Sequence, residues 1–300
     1  RVKMVKSWYW RGQACMVDMQ ASEDVLEYIA DCDVFQYNEE ELEECPSFQK
    51  CVDHPTVPGH IYYEGYYHGL LQHEPIDAIN PRRGFEMTKG AAPARFRAFL
   101  HAFKQVNNDI LKTAVKGTPM EAFFGSDVLF SDLAIQVHSG DPVTKPDIAW
   151  HLDGPNSILH LAVTIGKGTR SLHYRTRENA DAEEIHEDER LQPRGNVYLS
   201  SPYAFPHAVQ YPAASKWEDR VVAVQCRTLF TGNDFTDEPR LRDPDLLVGC
   251  LDQVSGVLQE GIRLPTLAEV HEAENDLGKS IQGQRRRQGE GSARFRCAVM

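Results

Sequence analysis

No stretch of the 300-residue chain approaches the roughly 18–20 consecutive apolar residues that a membrane helix needs, which excludes a helical span. There is no Asn-x-Ser/Thr sequon and no Cys-x-x-Cys pair. The seven cysteines, at positions 15, 32, 45, 51, 226, 250 and 297, are odd in number and widely scattered, so they do not suggest a disulfide framework. Reduced thiols in an intracellular setting, nuclear or cytoplasmic, are the expectation. Cys45, Cys51 and His54 could begin a zinc site, but no second half-site follows. A P-loop, a Gly-x-Ser-x-Gly elbow and an internal repeat are all missing. Positive charge is also short: 32 Lys and Arg face 44 Asp and Glu, for a net charge of −12.

That deficit is local. Glu39, Glu40, Glu41, Glu43 and Glu44 form one acidic cluster, and Asp181, Glu183, Glu184, Glu187, Asp188 and Glu189 form another. Without these eleven residues the chain is within one charge of neutral. The charge therefore excludes a generally basic nucleic-acid binder, but not an enzyme that takes one base into a locally basic cleft. Arg82, Arg83, Lys89, Arg95, Arg97, Lys104, Lys112 and Lys116 supply the candidates for such a cleft. Arg285, Arg286, Arg287, Arg294 and Arg296 make the end of the chain basic, ahead of Cys297-Ala298-Val299-Met300. Those last four residues fit a prenylation box on Cys297. The chain opens on Arg1 rather than Met, as an excised fragment would.

What is present is ordinary for a soluble globular protein, with 41% hydrophobic and 25% charged residues. Residues 1–125 form a mixed region that is hard to assign, except at its end. There Phe96, Phe99, Leu100, Phe103, Val106, Ile110 and Leu111 recur at helical spacing, predicting a helix over about 91–115. From 126 to 232 the period shortens. Segments 127–138, 147–152, 158–165, 170–175, 196–200 and 219–230 are rich in Val, Ile, Leu and Tyr and are divided by turn formers, as in a sandwich, jelly roll or barrel. Residues 233–283 return to helical spacing, and 284–300 read as a basic, disordered tail.

Two His-x-Asp/Glu motifs occur. His186-Glu187-Asp188 sits in the second acidic cluster and reads as a solvated loop. His151-Leu152-Asp153 ends a strand-like segment, where residues two apart share a face and can converge on one point. Further on, His207 opens another short extended segment, and Arg220 begins the strand that follows. Two histidines and one carboxylate can form the facial triad of a non-haem Fe(II) centre, with positions left open for a chelating cosubstrate and dioxygen. Arg220 could grip the distal carboxylate of such a cosubstrate, and Lys167, Arg170 and His173 are the alternatives. The opposite parity of Arg227 would turn it away from iron. His160 reads as a buried hydrogen-bonded residue and His138 as structural.

The ordered set His151-x-Asp153, His207, Arg220 resembles that of the Fe(II)/2-oxoglutarate-dependent dioxygenases. The resemblance implies an α+β fold, a double-stranded β-helix (jelly-roll) core with flanking helices packed on one side. It also implies His151, Asp153 and His207 as iron ligands, Arg220 as the cosubstrate anchor, and hydroxylation of a C–H bond. His151-Leu152-Asp153-Gly154-Pro155-Asn156 is further similar to the His-x-Asp-x-x-Asn run of the TET/JBP family, which oxidises the methyl group of thymine or 5-methylcytosine in nucleic acid. That likeness implies Asn156 as a contact to a flipped base, although Gly-Pro-Asn is also an ordinary turn sequence. Many Fe(II)/2-oxoglutarate-dependent dioxygenases carry Ser or Thr two residues beyond the Arg, where this chain has Val222. An algal branch that uses ascorbate in place of 2-oxoglutarate accommodates that difference. Two other expectations stand beside this one: a small-molecule or lipid hydroxylase of the same superfamily, and a non-catalytic cupin-like metal- or ligand-binding protein.

Overall fold

The computed structural model describes residues 15–45, 48–54, 57–68, 93–118, 120–121, 132–138, 147–153, 159–176, 184–211, 217–227 and 244–279. Its strands are β1 (Cys15–Gln20), β2 (Phe48–His54), β3 (Val57–His68), β4 (Asp132–His138), β5 (Asp147–His151), β6 (His160–Thr164), β7 (Arg170–Thr176), β8 (His186–Gln192), β9 (Asn196–Ser200), β10 (His207–Gln210) and β11 (Val221–Arg227). The helices are α1 (Glu23–Ala30), α2 (Asp33–Gln36), α3 (Glu39–Glu44), α4 (Ala94–Val115), α5 (Pro244–Gly261) and α6 (residues 267–279).

Two antiparallel sheets result. The major sheet runs β1-β9-β6-β11-β4-β3-β2 and the minor sheet β5-β10-β7-β8. This is a jelly-roll core of the double-stranded β-helix type, with helices on the outer face of the major sheet. β11 shows how the layers form. Val222, Val224 and Cys226 pack into the helical core with Phe96, Phe99, Leu251 and Val254. Their neighbours Val221 and Ala223 face the other way, against Val209 and Tyr211 between the sheets. The helical stripe expected around 91–115 is α4, and Phe96, Phe99, Leu100, Phe103 and Leu111 are its buried face.

Two elements differ from the sequence expectation. The acidic segment expected as a solvated loop contains β8, an edge strand paired to β7. Its exposed residues carry charge on both faces, so no alternation marked it as a strand. The N-terminal region also contributes β1, β2 and β3 to the major sheet. No helix among the described residues is long and apolar enough to cross a membrane.

The turn into β9 depends on Gly195. It adopts φ +83°, donates its N–H to Thr164 O at 2.7 Å and accepts from Ala21 N at 2.9 Å. A Cβ there would sit 2.6 Å from Leu26 Cδ1 and would also collide with the Gln20 amide. Gly195→Ala is expected to destabilise the fold by about 1–3 kcal/mol. Urea unfolding should show a lower midpoint at unchanged m.

Candidate metal centre

β5 and β10 lie side by side, and their register sets His151 opposite His207. Asp153 lies beyond the end of β5, so strand periodicity does not place it. Its N–H instead donates to Pro202 O at 3.1 Å, pinning it against the turn that leads into β10. His151 Nε2 is then 3.3 Å, and His207 Nε2 3.9 Å, from Asp153 Oδ1. One ligand atom from each of the three residues falls within 4.8 Å of the others. The three residues that the sequence singled out are therefore brought together.

The backbone fixes how the imidazoles present themselves. His151 Nδ1 is 2.7 Å from Ala149 O, and His207 Nδ1 is 3.4 Å from Phe205 O. A carbonyl can only accept, so Nδ1 carries the proton in both rings, and in the neutral rings both Nε2 lone pairs point toward the Asp153 carboxylate. Three such atoms facing one another are held by a shared proton or by a metal cation. Two neutral imidazoles and a carboxylate, with backbone acceptors orienting the rings, are a donor set suited to a divalent transition metal.

The three residues line a cavity of about 630 Å³, counting its open mouth, that lies between the two sheets. Ile148, Leu172, Val209 and Phe205 give it apolar wall, while Tyr174, Tyr198, Ser200, Ser201, Gln192 and Gln225 give it polar and aromatic wall. Arg170 lines it too. The residue is only 3% exposed, its Nε has no hydrogen-bond partner, and no carboxylate among the described residues pairs with it. Gln192 Oε1 and Ser201 Oγ are likewise buried without partners. Arg170 and Gln192 are opposed across β7 and β8. A buried cation with no counter-ion among the described residues, beside unmet polar atoms, suits an anionic ligand.

Arg220, expected as the anchor, does not line this cavity. Its guanidinium donates to Trp217 O at 3.1 Å and Phe35 O at 3.0 Å and stacks over the Trp217 ring. Burial lowers its pKa from the ordinary arginine value. The parity of β11 is the reverse of the expectation: Val222, Val224 and Cys226 lie on the helical side, while Gln225 faces the cavity. His160 is buried on the cavity wall, as expected of a core residue. The basic residues of α4 lie behind the major sheet, not around the cavity: Arg95 pairs with Asp31 and Arg97 is buried. Asn156 and Cys297 lie outside the described residues. Gln192 and Ser201 carried no sequence signal, since one follows the acidic cluster and the other precedes His207 outside any recognisable motif.

No family model matches the chain, and no curated protein matches it. Solved structures with a similar fold include OsALKBH1, with 12% identity and a TM-score of 0.42 over 70% of this chain and 96% of that one. A hazelnut (Corylus avellana) vicilin shares 9% identity at a TM-score of 0.25, over 32% of this chain and 24% of that one. The Escherichia coli ribosomal oxygenase YcfD shares 14% identity at a TM-score of 0.24, over 39% of this chain and 29% of that one. An oxygenase and a protein described only as a vicilin both appear, so these likenesses do not decide the chemistry.

Proposed function

We propose that the chain is a non-haem Fe(II)-dependent oxygenase that hydroxylates a C–H bond, with His151, Asp153 and His207 as the metal ligands. The observation that carries this reading is the convergence of two Nε2 atoms and one carboxylate oxygen on the wall of an open cavity. Bound there, Fe(II) would activate dioxygen at the expense of an organic-acid cosubstrate, 2-oxoglutarate or ascorbate. Arg170 replaces Arg220 as the residue proposed to hold the acid. It lies four residues along β7 from Tyr174, which is opposite His207. That is roughly 13 Å of strand, which leaves room for a short acid between guanidinium and metal.

The proposed substrate is the methyl group of 5-methylcytosine or thymine in nucleic acid, delivered as an extruded base. Tyr198, Phe205 and Tyr174 line the cavity with aromatic rings suited to a heteroaromatic base, and Ser200 and Gln225 add polar side chains to the same wall. Asn156 is proposed as a further contact to that edge. The test is incubation with methylated and unmethylated DNA under Fe(II), with each cosubstrate in turn, followed by mass spectrometry of the nucleosides. Appearance of an oxidised pyrimidine supports the reading. Unchanged 5-methylcytosine and thymine under every condition would turn the search to small-molecule or lipid substrates.

A further inference from the structure

His151 sits on an edge strand. Among the described residues β5 is hydrogen-bonded to β10 alone, and the pairing between them is irregular, with His207 opposite His151 but Val209 opposite Ile148. Two residues of β5, Ala149 and Trp150, therefore oppose the single Ala208, a bulge of the kind that re-aims side chains beside functional sites. The bulge orients His151, because Ala149 O is the acceptor that holds its Nδ1. A bulged edge strand with one neighbour is a weak support for a metal ligand, so something else must fix it.

The outer face of the minor sheet supplies that support. The Arg175 guanidinium of β7 lies 3.8 Å from the centroid of the Trp150 ring. Glu187 of β8, the direct cross-strand partner of Arg175, accepts from Arg175 Nε at 2.7 Å and lies 2.6 Å from its Nη2. Arg175 N also donates to Pro206 O, immediately before His207. A chain of Trp150, Arg175 and Glu187 thus crosses the back of the sheet behind both histidines. It also gives a role to one residue of the second acidic cluster.

We propose that Arg175 is a positioning residue for the metal centre: clamped by Glu187, it presses on Trp150, fixes the Ala149–His151 bulge and so aims His151 Nε2. This rests on the metal-centre reading above. The planar guanidinium is what the site requires, since it stacks on an indole and meets a carboxylate through two N–H groups at once.

The test is Co(II) titration of the full chain, following affinity and the visible d–d spectrum, with thermal unfolding of the metal-free protein as control. Arg175→Met is expected to weaken Co(II) binding about tenfold, the usual scale for groups that orient ligands, and to shift the spectrum, with little change in metal-free unfolding. Arg175→Lys keeps the charge but not the stack and should fall between. Trp150→Phe keeps a ring face and should bind as wild type. Glu187→Gln, expected to weaken binding about two- to fivefold, carries the same test if Arg175→Met does not fold. Wild-type affinity and spectrum in both Arg175→Met and Glu187→Gln would overturn the inference. If the wild type takes up no Co(II), or His151→Ala binds it equally well, the metal-centre reading itself fails.

Discussion

Asp153→Asn is expected to remove metal binding while leaving the metal-free fold intact. Its carboxylate is the only anion in the donor set, and the neutral amide is nearly isosteric. Removing one partner of a buried charge pair costs about 3–5 kcal/mol, so metal affinity should fall roughly 10²- to 10⁴-fold. The readings with and without metal are what make the test decisive. A structural cluster that takes up no metal would give neither protein a gain in stability with Co(II). A metal centre would give that gain to the wild type alone. Wild-type protein at a metal concentration 100 times Kd should gain about 2.7 kcal/mol, and Asp153→Asn should gain almost none. Thermal unfolding of both proteins with and without Co(II), at one pH, reads the effect. Equal gains in the two proteins, or none in either, would count against the centre.

The triad was legible because its spacing survives folding. His151 and His207 sit at strand ends, where turn residues on either side mark the boundary in sequence. Arg220 was misplaced for a reason of equal generality. The segment Val221–Cys226 is buried on both faces, so its run of apolar residues carries no alternation from which parity can be read. A single step of parity exchanges cavity for helical core. β8 was lost to the opposite circumstance, being charged on both faces because it lies at an edge. With it went Gln192, whose position opposite Arg170 depends on a pairing that no local pattern announces. The helices were simpler, because α4 writes its buried stripe at a period that nothing interrupts.

Arg170→Met and Arg220→Met are expected to move stability and cosubstrate binding in opposite directions. Arg170 is enclosed, has an Nε without a partner and pairs with no described carboxylate. Its burial therefore opposes folding until an anion arrives. A methionine of similar length fills the same space without the charge, so the ligand-free protein should become more stable, by about 1–2 kcal/mol. Cosubstrate binding should pay for that gain, because truncating a buried charged partner costs about 2–5 kcal/mol, or thirtyfold and more in affinity. Arg220 is the reverse case. Its guanidinium satisfies two carbonyl groups and stacks on Trp217, tying the start of β11 to the segment after α1. Arg220→Met should lower stability by about 1–3 kcal/mol and leave cosubstrate affinity where it was. Calorimetric titration of 2-oxoglutarate and of ascorbate into the Co(II)-loaded variants, beside denaturant unfolding of each, separates the two residues. Should Arg220→Met be the variant that loses the acid while Arg170→Met keeps it, the anchor lies just before β11 after all, and the Arg170 Nε, without a partner among the described residues, needs another explanation.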